Sequence, residues 1–158
     1  MIDKLVRWYD AVMSRGFDKL RDPLLLILRL MFGWELFQTG KGKLENIDRF
    51  TEFITHLHIP MPGPTAHFVA TLECVGGLLL ILGLAARLIA IPLTINFFVA
   101  YLTADHEALV GFFKDQEAFT SAAPFLYLLV SLIILAFGPG LFSVDALIRR
   151  VFLRRRTA

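Results

Sequence analysis

Three ionisable side chains, Arg29, Glu35 and Glu73, sit inside runs of apolar residues. A charge surrounded by hydrocarbon is costly, so such groups normally face a bundle interior or a wet cavity. A carboxylate held there can take up and release protons, and a guanidinium can balance it or polarise a bound molecule. Glu73 is therefore the candidate proton-exchanging group, with Arg29 as its electrostatic partner; together they are the candidate catalytic residues. Helical spacing puts Arg29, Gly33, Leu36, Phe37 and Gly40 on one stripe of their segment, and Glu35, Gln38 and Thr39 on another. Glu73, Gly76, Gly77 and Leu80 share a stripe on the next segment, where the glycines permit close helix approach. Further along stand Asn96 and then Tyr127. The candidate ligand pocket, expected to open towards the outer leaflet, comprises Gly33, Glu35, Phe37, Gln38, Lys43, Gly76, Gly77, Asn96 and Tyr127. Helical side chains lean towards their own N-terminus, so direction disfavours a direct Arg29–Glu73 pair without forbidding it, and Asn96 or a water could bridge the two. The same groups would serve equally as polar glue between helices.

Other chemistry finds less support. His56-x-His58 is too short a spacing for two ligands on one helical face, and Val110 stands where a zinc-protease helix starting at His106-Glu107 needs its second histidine. No metal site is assigned. Cys74 is the only cysteine, which leaves no disulfide, thiol pair or cysteine cluster. The chain carries no nucleotide or flavin fingerprint, so any electrons would come from a partner or a bound cofactor.

The elements that position these residues follow from hydropathy. Hydrophobic residues are 56% and charged residues 19% of the 158, and the mean hydropathy is +0.64; that is too little charge for a soluble surface of this size. Four apolar runs cover residues 23–39, 67–84, 88–104 and 122–137. Each is at the short end of what can cross a bilayer. Lipid cannot hydrogen-bond a bare backbone, so the spans must be helices. The expected fold is an all-α membrane protein, a four-transmembrane-helix bundle with interfacial amphipathic helices. Residues 1–22 read as an amphipathic cytoplasmic interfacial helix, 23–148 as the transmembrane domain, and 149–158 as a basic cytoplasmic tail. Asp22-Pro23 would start the first span, and Ser143 would cap a helix beginning at Val144. The pattern Ile47, Phe50, Phe53, Ile54 and Leu57 predicts a second amphipathic helix on the outer surface or capping the bundle, and 106–121 a further short one. No cleavable signal is expected, since the first apolar run begins only at Leu24.

Eleven of the 16 basic residues flank the ends assigned inside, four lie in the outer loops and Arg29 lies within a span. Both termini are accordingly expected in the cytoplasm. A net charge of +2 gives no reason to expect nucleic acid. Membrane lipids are the expected surroundings.

The run Leu28-Arg29-Leu30-Met31-Phe32-Gly33 through Phe37, Gly40 and Lys43-Leu44 resembles the opening motif of the DoxX family of small bacterial four-span membrane proteins. Leu72-Glu73-Cys74-Val75-Gly76-Gly77, followed by Leu82-Gly83-Leu84 and Arg87, and Gly138-Pro139-Gly140-Leu141-Phe142-Ser143-Val144-Asp145 are similar to its later motifs. The resemblance covers about residues 23–148, with Thr39 standing where many members show a histidine. It implies a multi-pass protein of the bacterial inner membrane with redox associations, such as a subunit of thiosulfate:quinone oxidoreductase. The first reading is thus a redox-associated subunit that binds a quinone or similar lipophilic molecule, with a soluble redox partner or a second copy of itself. The alternatives are a small-solute carrier and a non-catalytic membrane scaffold for soluble redox partners.

Overall fold

The computed structural model describes the backbone of residues 2–156 and the side chains of Tyr9 and residues 19–152. Among the described residues the structure is all-helical: α1 (Ile2–Glu45), α2 (Ile47–His56), α3 (Pro62–Leu82), α4 (Ala86–Thr103), α5 (His106–Val110), α6 (Gln116–Ser121), α7 (Pro124–Phe137) and α8 (Val144–Arg156). Helices α3 and α4, of 21 and 18 residues, are long and apolar enough to cross a membrane. Helix α7 is apolar but shorter, 14 residues, or about 21 Å at 1.5 Å per residue.

Helix α1 departs from the expected boundaries. It does not begin at Pro23 but runs through it as one helix of 44 residues, about 66 Å long. Pro23 is exposed, so its missing N–H removes one intrahelical bond where water or a headgroup can reach the freed carbonyl of Lys19. The amphipathic pattern expected over 1–22 falls largely outside the described side chains. At its other end α1 continues past Gly40 to Glu45, and only Asn46 separates it from α2. Helix α3 starts at Pro62, earlier than hydropathy suggests, because proline fits a helix's first turn. The segment 106–121 forms two short helices with a turn between them.

The described buried residues of α1 are Leu25, Arg29, Gly33, Leu36 and Gly40, a single stripe laid antiparallel along α3. Glycine is required where the two backbones meet. A Cβ on Gly33 would lie 2.9 Å from the Gly77 carbonyl oxygen, and one on Gly77 would lie 2.9 Å from Phe37 Cα. Helix α4 packs on α7, and Leu36, Leu80, Ala86, Ala90, Leu93, Phe97, Val130 and Ile134 form the core between the helices. The α3–α4 turn, the loop 138–143 and the start of α8 gather at one end of the bundle, while α2 covers the other.

Candidate functional site

Glu73 is the buried acid of α3, 2% exposed. Both of its oxygens accept hydrogen bonds from Lys43 Nζ of α1, each at 2.7 Å. Oε1 also accepts a 3.3 Å bond from Asn96 Nδ2 of α4. Lys43 sits opposite Glu73 because it lies three residues past Gly40, on the stripe that faces α3. Its ammonium also stands 4.8 Å from the centre of the Phe50 ring of α2. One cation thus joins α1, α2 and α3, and its side chain keeps 26% exposure.

These groups form the polar end of a cavity of about 380 Å³ bounded by α1, α2, α3, α4 and α7. Its walls are mainly apolar. Phe50, Phe53, Ile54 and Leu57 of the α2 segment close it from the α2 end, so the amphipathic pattern caps the bundle. Phe97 and Tyr127 line the deeper wall with their rings stacked, centroids 5.1 Å apart and planes 19° apart. Tyr127 Oη donates to Glu35 Oε2 at 3.4 Å across the seam between α7 and α1. The wall hydroxyls of Thr39, Thr65 and Thr103 are engaged with nearby backbone carbonyls. Among the described residues, hydrogen bonding to a guest is thereby left to Lys43, Glu73, Asn96, Asp105 and Tyr127.

Arg29 does not share this cavity. It is 1% exposed and donates from Nη1 to the Pro139 carbonyl and from Nη2 to the Phe142 carbonyl, the latter at 2.7 Å. The expected electrostatic partnership with Glu73 is corrected by this geometry: the cation beside Glu73 is Lys43. Backward-leaning side chains explain the separation, since each is carried towards the N-terminus of its own helix, and these lie at opposite ends of the antiparallel α1–α3 pair. Other groups tie down the loop that Arg29 holds. Arg21 donates to the Phe137 carbonyl at 2.7 Å, Arg87 to that of Ala136 at 3.1 Å, and Asp22 Oδ1 accepts from Leu141 N at 2.9 Å. Asp145 reaches back across 60 residues to accept from Ala85 N at 2.8 Å and Ala86 N at 3.0 Å, capping α4. Ser143 Oγ accepts from Ala146 N at 3.2 Å, the cap expected for α8.

Of the sequence candidates, Glu73, Lys43, Asn96 and Tyr127 converge on the cavity. Glu35 reaches it only through Tyr127. Gly33, Gly77 and Phe37 form the α1–α3 crossing, and a Cβ on Gly76 would meet Leu93 of α4 at 3.2 Å. Gln38 is exposed and does not line the cavity. His56, His58, His67 and His106 are exposed, and no group of three metal-ligating residues gathers among the described residues. Sequence reasoning did not foresee Asp145 as the cap of α4, because a contact spanning 60 residues leaves no local pattern.

The family model for DoxX matches residues 24–106. An uncharacterized protein of Haemophilus influenzae is 30% identical over 132 residues, covering 81% of this chain and 85% of its own length. No solved structure matches.

Proposed function

Since the chain belongs to the DoxX family of membrane proteins, we propose that it is a redox-associated subunit of the bacterial inner membrane holding a quinone or similar lipophilic molecule beneath α2. In this reading α1, α3, α4 and α7 are the four spans, and both termini are cytoplasmic. The distribution of basic residues supports that sidedness: Arg21, Arg87, Arg149 and Arg150 belong to the Arg29 end, and Lys41, Lys43 and Arg49 to the α2 end. The observation that carries the ligand reading is the buried Glu73–Lys43 pair at the polar end of an apolar cavity. A volume of about 380 Å³ falls within the range of small-molecule sites, about 300–1,000 Å³.

A flat conjugated head fits beside the stacked Phe97 and Tyr127 rings. A quinone would supply the electron-accepting chemistry, with electrons delivered by a soluble redox partner. The residues of this chain supply the rest. Apolar walls exclude water, Tyr127 and Asn96 orient the head, and Glu73 moves a proton between it and the outer water reached past Lys43.

The test is equilibrium binding of a short-chain quinone to the protein in lipid nanodiscs. Saturable binding is expected, weakened by a few-fold up to about tenfold in Asn96→Leu, because one neutral hydrogen bond to the quinone carbonyl contributes about 0.5–1.5 kcal/mol. Absence of saturable binding, or full binding by Asn96→Leu, would overturn the reading.

A further inference from the structure

The ionisable groups facing the cavity are Lys43 from α1, Glu73 from α3 and Asp105 after α4; α2 contributes none and α7 contributes the phenol of Tyr127. At the polar end the two opposite charges already satisfy one another, with Lys43 Nζ at 2.7 Å from both Glu73 oxygens. An anionic head placed there would adjoin the Glu73 carboxylate with no free cation to meet it. A cationic head would have to displace or crowd the Lys43 ammonium. Either would bury an uncompensated charge against walls formed by Phe50, Ile54, Val69 and Phe97, since Asp105 stands beyond the C-terminal end of α4, about 13 Å along the helix from Asn96. Asn96 keeps its amide oxygen and a second N–H, and Tyr127 its phenol oxygen as an acceptor, to hydrogen-bond a neutral group. With polarity gathered at one end of an otherwise apolar space, a fitting guest has one polar head on an apolar body.

We infer that the cavity selects an uncharged amphiphile with a hydroxyl or carbonyl head and rejects anionic and cationic molecules of the same chain length, the Lys43–Glu73 pair setting that preference. This rests on the reading of the cavity as a ligand site and extends it to head-group charge. The pair also makes the preference reversible by design. Removing the acid leaves a buried cation that recruits an anion, and removing the base does the converse.

The experiment uses radiolabelled dodecanol, dodecanesulfonate and dodecylamine in equilibrium binding to the full-length protein in zwitterionic-lipid nanodiscs, with the signal of empty nanodiscs subtracted. Dodecanol is expected to bind at least about tenfold tighter than either charged probe, an unpaired buried charge being worth more than that factor. In Glu73→Gln the sulfonate should overtake dodecanol. In Lys43→Met, whose removed side chain is partly exposed, the amine should overtake it. Ala100→Phe, which fills the cavity, should abolish all three. A wild-type protein that holds the sulfonate or the amine as tightly as dodecanol overturns the charge preference while leaving the ligand site standing. So does an unchanged order of affinities in the folded variants. Lack of saturable binding of any probe, or binding that survives Ala100→Phe, overturns the ligand site and the preference together.

Discussion

If Lys43 and not Arg29 balances Glu73, a double-mutant cycle should find strong coupling in one pair and none in the other. The Lys43–Glu73 contact consists of two 2.7 Å charge-assisted bonds with the carboxylate 3% exposed and the lysine side chain 26% exposed. Breaking a fully buried pair costs about 3–5 kcal/mol. The partial exposure of Lys43 lets water reach a residual charge, which places each single change just below that range, at about 2–3 kcal/mol. The double change Lys43→Met with Glu73→Leu removes both charges and leaves neither stranded. It should cost about 2–3 kcal/mol rather than the sum, a coupling of about 2 kcal/mol or more. Arg29 lies 14 residues before Lys43 along α1, about 21 Å away, and bonds to carbonyls of the opposite loop. Arg29→Met combined with Glu73→Leu should therefore be additive within about 0.5 kcal/mol. Unfolding in mixed micelles by increasing sodium dodecyl sulfate, followed by circular dichroism, measures all of these proteins on one scale. Additive losses for Lys43 and Glu73, or coupling between Arg29 and Glu73, would refute the assignment of the two cations.

Arg29→Met alone should cost about 3–5 kcal/mol, because it strands two carbonyls in a closed setting; hydrogen exchange over residues 137–143 should rise while that of α2 stays unchanged. Gly77→Val should lower the melting temperature through overpacking of about 1–3 kcal/mol or more against α1, whereas Gly42→Ala, with open space around the added methyl, should raise stability by up to about 1 kcal/mol; equal effects at the two glycines would contradict the α1–α3 crossing. In a Cys74→Ser background a membrane-impermeant thiol reagent applied from outside should label Thr55→Cys and Gln116→Cys but not Arg150→Cys, and the reverse pattern would overturn the proposed orientation.

The helical class and the places of α3 and α4 could be read from hydropathy, because an apolar run of 18 or more residues leaves a helix little alternative. The boundaries of α1 could not. Asp22-Pro23 carries the local signature of a helix start, yet the helix passes through it: Asp22 spends its carboxylate on Leu141 N of the distant loop, where a helix start would use it as a cap. The apolar stripe of α2 was visible as spacing, and its role as the roof of a cavity followed once α1 and α3 were packed through their glycines. The polar residues were legible as a set and illegible as pairs, since pairing depends on the axial shift between two helices, which no single helix encodes.

The α1 stripe makes this concrete. Arg29, Gly33, Leu36, Gly40 and Lys43 follow steps of four, three, four and three residues, so one face carries a cation near each end and glycines between them. The glycines fix how closely α1 approaches α3, and that approach brings Lys43 within bonding distance of Glu73. At the far end the same face delivers Arg29 to the loop holding Gly138 and Gly140, both with φ of +78°, a conformation that glycine adopts without strain. Gly83, with φ of +65°, turns beside Arg29, and a Cβ there would lie 2.6 Å from Ser143 Cβ. The residues that carry the DoxX resemblance therefore divide between two tasks. Arg29, Gly83, Arg87, the Gly-Pro-Gly loop and Asp145 lock the helices at one end, and Lys43 and Glu73 keep charge inside a cavity at the other. A variant in the first group should loosen that end of the bundle and leave the choice of ligand unchanged, whereas Lys43→Met should change which ligand binds as well as costing about 2–3 kcal/mol.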